Sequence, residues 1–203
     1  MDSIEKLSQL FEKFPGIGPR QARRFVQYLL GAHPAVRAEL AEMVKRLGVE
    51  VAQCKKCFRW FPLKEKDVTA VACDICEDTR RDASVLFVVE KDADIDNVER
   101  SGFKGRYFVL GGTIPLAAED PERHVRLKQL SDHVSRSEAS REIKEVILGL
   151  SATTEGDHTR LLLQEKLKDS GLKLSSLGRG LSTGSELEYA DPDTIHEALA
   201  NRS

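Results

Sequence analysis

In the first fifty residues apolar side chains recur every third or fourth position, the period of a helix with one buried face. Ile4, Leu7, Leu10, Phe11 and Phe14 form the first stripe, with Ser3 placed to cap it. Pro15 and Gly16 stop that helix, and Pro19 suits the first turn of the next, where its missing N–H costs nothing. The second helix gathers Ala22, Phe25, Val26, Leu29 and Leu30 on one side. A third, near residues 34–48, does the same with Val36, Leu40, Met43, Val44 and Leu47. From residue 84 the pattern changes. Ser84 to Val89 is a continuous apolar run ending in Glu90, as expected for a strand covered on both faces. A short helix follows, then a strand in "GRYFVLGG", a charged helical stretch over roughly 121–142, a third strand from Glu145 to Leu150, a loop and helix, and a fourth strand in "LKLSSLG". This alternation predicts an open parallel α/β sheet. Such sheets place their chemistry beyond the carboxyl ends of the strands, where Glu90, Glu155 and Asp157 fall. The three acids either hold Mg²⁺ or sit at helix starts, stabilised by the helix dipole.

The chain has 203 residues, 40% apolar and 32% charged, enough for a sizeable core. It has no run of eighteen apolar residues to span a membrane and no basic-then-apolar leader, so a cytoplasmic location is the default expectation. The net charge of −2 conceals an asymmetry: residues 1–66 carry thirteen basic against seven acidic side chains, and the remainder eighteen against twenty-six. A basic front suits nucleic acid, and an acidic back suits a metal or a basic protein surface. The plain alternative is two solvated faces.

All four cysteines fall between Cys54 and Cys76, as two C-x2-C pairs with fifteen residues between them. Reduced cytosolic thiols clustered at this spacing read as a zinc site, Cys54, Cys57, Cys73 and Cys76 closing a tetrahedron with no open position, hence structural. Phe58, Trp60 and Phe61 between the pairs are expected to supply the small module's core, with stacking on bases as the alternative. Upstream, Gly16-Ile17-Gly18 lets the backbone approach a ligand, and the helix start beyond it presents N–H groups to a phosphate, with Arg20, Arg23 and Arg24 close behind. This is the pattern of a helix-hairpin-helix that holds a nucleic acid backbone without reading bases. A plain helical turn with solvated arginines is the other reading.

The order of these parts resembles the bacterial recombination mediator family RecR over essentially the whole chain. "FPGIGPRQARR", the four cysteines, "DTRRDASVLFVVE", "YFVLGG", "TTEGDHT" and "GLSTGSELEYADPDTIHEAL" follow in the family's order. The resemblance implies a multi-part α+β protein. Its parts are a helix-hairpin-helix region over 1–52, a four-cysteine zinc module over 53–79, a Toprim α/β domain over 80–176, and a C-terminal Walker-B-like segment and helix over 177–203. It further implies a non-enzymatic mediator of recombinational DNA repair that binds duplex and gapped DNA. Such proteins form a ring-like tetramer and work with RecO, and in many bacteria RecF, to load RecA on single strands. The matching DNA-binding positions are Gly16, Gly18, Arg20 and Arg24, and the acids matching the RecO-facing surface are Glu90, Glu155 and Asp157. The loop "GGTIPLAAEDPERHVRLKQL" departs from the family's wording, and Asp157 stands where glutamate is common.

The competing class is a metal-dependent Toprim nuclease or RNA-processing enzyme. Enzymes of that kind add a DxD pair to the strand-end glutamate to hold metal ions, and here that position reads Ser151-Ala152-Thr153. Mg²⁺ at the remaining acids is therefore not expected to be catalytic. No Walker A loop is present, since "GRGLSTG" lacks the lysine that such a loop needs for phosphates.

Overall fold

The computed structural model describes residues 1–64, 69–140, 142–182 and 184–201, which divide into two compact units. The first comprises Met1–Ala52 with Pro62–Thr69, and the second Gln53–Phe61 with Ala70–Ser203.

The first unit is built from α1 (Ser3–Glu12), α2 (Pro19–Gly31) and α3 (Pro34–Glu50). Asp2, not Ser3, caps α1: its carboxylate accepts the Glu5 N–H at 2.8 Å, and Ser3 is already helical. A carboxylate at this position also meets the positive end of the helix dipole. Gly16 sits at φ 75°, the left-handed turn that glycine permits, and Pro19 opens α2 behind the extended Gly18. The α1 and α2 faces meet through Phe11, edge-on to Phe25 at 5.6 Å, with Ala22 and Val26 buried beneath. Arg37 ties α3 to the end of α2, its guanidinium donating to the Leu29 and Ala32 carbonyls at 2.9 and 2.7 Å. The apolar stripe of α3 is largely uncovered: Val36, Leu40, Met43, Val44 and Leu47 are 40–63% exposed. Leu40 and Val44, with Ile4, Leu10, Phe14 and Leu30, instead border an open apolar groove of about 640 Å³.

Strands β1 (Val51–Gln53) and β2 (Trp60–Pro62) pair as a two-stranded ribbon. In the second unit the order continues with α4 (Asp74–Glu77), β3 (Asp82–Val89), α5 (Asp92–Arg100), β4 (Gly105–Val109), α6 (Leu127–Ser140), β5 (Glu145–Gly149), α7 (Thr154–Leu167), β6 (Lys173–Ser176) and α8 (Pro192–Ala200). The four long-range strands form one parallel sheet in the order β4-β3-β5-β6. β3 begins at Asp82, two residues before the apolar run, because its first residues pair across a register shift between Asp82 and Leu86. The charged stretch over 121–142 resolves into a 3-10 turn, Pro121–Arg123, and α6. The core packs Leu86 and Val88 of β3, Phe108 of β4 and Val146 and Leu148 of β5 against Leu130 and Val134 of α6 and Leu163 of α7. The unusual loop after Gly112 is anchored: Ile114 is fully buried, its N–H held by the Thr159 hydroxyl at 2.8 Å, and Val125 and Leu127 enter the core. No helix among the described residues is long and apolar enough to cross a membrane.

Candidate metal centre and nucleic-acid interface

The two C-x2-C turns bring all four thiols together. The Cys54 N–H donates to the Arg59 carbonyl at 2.8 Å and the Phe58 N–H to the Cys54 carbonyl at 2.9 Å, closing the first turn. Cys73 precedes α4 and Cys76 lies within it. The four sulfurs lie within 4.8 Å of one another, and all four cysteines are buried. Cys57 and Cys73 Sγ are 3.6 Å apart, and the Cys73 N–H donates to Cys54 Sγ at 3.4 Å. A tetrahedral ion with metal–sulfur bonds of about 2.3 Å sets its sulfurs about 3.8 Å apart, so the donor set fits a metal ion. None of the four is in a disulfide. Hydrogen bonds from the Cys57 thiol, then from Cys73 and Cys76, pull the Cys54 thiol far below its ordinary value, while Cys54, Cys57 and Cys73 push Cys76 up. Metal ligation requires deprotonated thiols, and a cation offsets the repulsion between thiolates held this close.

The aromatics between the pairs divide. Phe61 is buried and Phe58 packs edge-on to Phe108 at 5.3 Å, but Trp60 is 56% exposed and forms no part of the module's core. Strand alternation explains the difference, since neighbours on β2 face opposite sides.

At the α1–α2 connector, Ile17 is half-buried while Gly16, Gly18, Arg20, Arg23 and Arg24 are exposed. Gly18 precedes α2 without a capping side chain, and open space surrounds both glycines. Arg20 and Arg24 lie one turn apart on α2, and no ion pair among the described residues involves them. An exposed turn, an uncapped helix start and two arginines on one face are what a phosphate requires.

The acids lie at the carboxyl edge of the sheet, but each has a local partner. Glu90, 8% exposed, accepts the Ser151 N–H through Oε1 at 2.5 Å. Glu155 Oε2 accepts from the Thr113 hydroxyl at 3.1 Å. Asp157 is bound by Arg179 from the segment after β6, and by Arg160 at 3.0 Å. Arg179, and more weakly Arg160, holds the Asp157 carboxyl below the usual carboxylate range. Asp157 therefore faces an internal cation, which its position beside Glu155 in the sequence does not suggest. The segment Ser151–Thr153 has its own task. The Thr153 hydroxyl caps α7 by accepting the Gly156 N–H at 3.1 Å, and the Ser151 hydroxyl bonds that of Thr153 at 3.0 Å.

Three contributors carry no local sequence signal, Asp92, Arg126 and Arg179, and the backbone of Phe58 is a fourth surprise. Phe58 adopts φ 64°, the one non-glycine residue with positive φ among those described. The Arg126 guanidinium lies 5.2 Å from its ring and donates to the Val109 carbonyl at 3.1 Å. Asp92 Oδ1 accepts the Trp60 N–H at 3.0 Å, and burial pushes its carboxyl up. The order of glycines and arginines in "FPGIGPRQARR" signals the hairpin, whereas these contacts join residues tens of positions apart.

The Toprim domain family matches residues 84–178, and the RecR C-terminal family matches residues 180–203. The recombination protein RecR of Bdellovibrio bacteriovorus is 38% identical over all of this chain and 97% of its own length. The chain belongs to the RecR family. Relatives of the same name from Cereibacter sphaeroides and Bacteroides thetaiotaomicron are each 38% identical over 98% of this chain, covering 95% and 93% of their own lengths. The Toprim match spans all four strands of the parallel sheet from within β3 onward, and the RecR C-terminal match contains α8.

Proposed function

We propose that this RecR-family chain is a non-enzymatic recombination mediator that holds DNA by its sugar-phosphate backbone. It acts in recombinational repair with RecO, and with RecF where one exists, to load RecA on single-stranded DNA. Gly16, Gly18, Arg20 and Arg24 form the DNA grip of a helix-hairpin-helix. Cys54, Cys57, Cys73 and Cys76 hold one structural Zn²⁺, the ion that an all-thiolate tetrahedral set favours. Glu90, Glu155 and Asp157 mark the edge offered to the partner protein, with Asp157 available only when Arg179 moves. The names of the relatives support a role in recombination.

The observation that carries the non-enzymatic reading is the Ser151–Thr153 cap. Two-metal phosphoryl transfer needs several carboxylates around one point. Here two hydroxyls occupy the place of a carboxylate pair and are used in starting α7, while a backbone N–H takes up Glu90. The chain is expected to leave supercoiled plasmid intact in Mg²⁺ or Mn²⁺. Nicking by the wild type that disappears in Glu90→Gln overturns this reading in favour of a metal-dependent Toprim nuclease.

Self-association into a ring, a tetramer by resemblance, is supported by the groove bordered by Leu40 and Val44 and by Leu187, Tyr189 and Leu199 at 58–80% exposure in the C-terminal segment. Several weak backbone grips joined in one ring raise overall affinity without a new contact.

A further inference from the structure

The four-cysteine module is fastened to the acidic end of β3 by an unbroken series of contacts within the second unit. The Cys57 carbonyl accepts the Val109 N–H at 2.8 Å. The next residue, Phe58, lays its ring against Phe108 of β4 and under the Arg126 guanidinium. Arg126 donates from its side chain to the Val109 carbonyl at 3.1 Å and from its backbone N–H to the Leu110 carbonyl at 2.9 Å. Its guanidinium fills the space where a side chain on Gly111 would project. Gly111, at φ 102°, donates its N–H to the Glu90 carbonyl at 2.9 Å, and Leu110 donates to Val89 at 2.8 Å. Glu90 then accepts the Ser151 N–H, at the start of the segment that caps α7. A second tie runs from the Trp60 N–H to Asp92, two residues beyond Glu90.

Plain core filling accounts for an apolar side chain at position 58 but not for its backbone. A bulky residue with positive φ is strained and persists only where its surroundings enforce it. The enforcing contacts here lie on the two sides of Phe58. One is the first C-x2-C turn, closed by the Phe58 N–H on the Cys54 carbonyl, and the other is Arg126, which lies over the Phe58 ring and beside Gly111.

We propose that Phe58 is the positioning residue through which the metal centre sets the Val89–Glu90 strand end, so that a basic protein surface binding at this edge does so only on the metal-loaded chain. The inference rests on the zinc reading above. A filled centre holds the first turn in the form that keeps Phe58 left-handed and its ring under Arg126. An emptied centre releases the turn, then Arg126 and Gly111, and the hydrogen bonds to Val89 and Glu90 open.

The test is amide hydrogen exchange on the full chain at Leu110, Gly111 and Ser151, with Ile147 and Leu148 of β5 as internal reference. Zinc content is measured in parallel. Phe58→Gly is the first variant, because glycine tolerates the left-handed turn and retains the ligands. Arg126→Gln is the second, lying outside the metal turn. Removing zinc from the wild type is expected to speed exchange at the three amides at least tenfold relative to β5. Each zinc-loaded variant is expected to show the same tenfold change with one zinc still bound per chain. Unchanged exchange at the three amides in both variants overturns the inference. Wild-type chain that takes up no zinc sinks the metal reading instead, and the two variants then still report whether Phe58 and Arg126 set the strand end.

Discussion

Asp157 shows how a single residue is redefined by a distant partner. Its neighbours in sequence, Glu155 and the α7 start, suggest a free carboxylate stabilised by a helix dipole. Arg179, twenty-two positions later, makes it one half of an ion pair. The lowered carboxyl pKa means that the pair adds stability above the unfolded carboxylate value, near pH 4, and loses it as pH falls through the lower folded value. Both side chains are about a third exposed, so the contribution is below about 1 kcal/mol. In Arg179→Ala the Asp157 carboxyl is expected to titrate nearer its ordinary value by carbon NMR, with less than about 1 kcal/mol lost in denaturant unfolding. A carboxyl that stays as low as in the wild type would show that Arg160 alone holds it. Ser3 offers the same lesson on a smaller scale: serine and aspartate both cap helices, and only backbone geometry decides between neighbours.

At the level of elements, the strands and helices of the second unit were readable because each apolar run has the period of its structure. Leu86 to Val89 is buried between two neighbouring strands as a central strand must be, and the helices between strands carry the charge. Strand ends were less readable. β3 starts early through a register shift, and β4 ends at Val109, after which Leu110 and Gly111 donate to the Val89 and Glu90 carbonyls. The stripe on α3 was read as apolar and is largely exposed in this chain, since periodicity shows which face is apolar and not what lies on it. The Ser151–Thr153 segment is the element on which the non-enzymatic reading depends. Thr153→Ala is expected to cost about 1 kcal/mol in urea unfolding by uncapping α7. Thr153→Ser is expected to restore most of it, because a hydroxyl is what the Gly156 N–H needs. Equal stability of all three proteins would mean that the cap is not what holds this position.

At the scale of the molecule, a basic helical turn, a four-cysteine cluster and an acidic α/β edge lie in succession along one chain. The cysteine spacing made the cluster legible, because four ligands in two tight turns leave little other use for that pattern. The turn between α1 and α2 was legible from two glycines and a proline, although only Gly16 proves to need its glycine for backbone reasons. The ties joining the cluster to the strand end were not legible, since Phe58, Arg126 and Gly111 meet only after folding.

The central claim is that the α1–α2 turn grips DNA backbone, and fluorescence anisotropy of a labelled duplex titrated with the protein across a series of salt concentrations tests it most directly. The account predicts that affinity falls linearly on logarithmic axes as salt rises, alike for unrelated sequences. It further predicts that Arg20→Ala with Arg24→Ala removes most of the binding and lowers the slope by about 2 for each hairpin engaged. Unchanged affinity and slope in the double variant would contradict it.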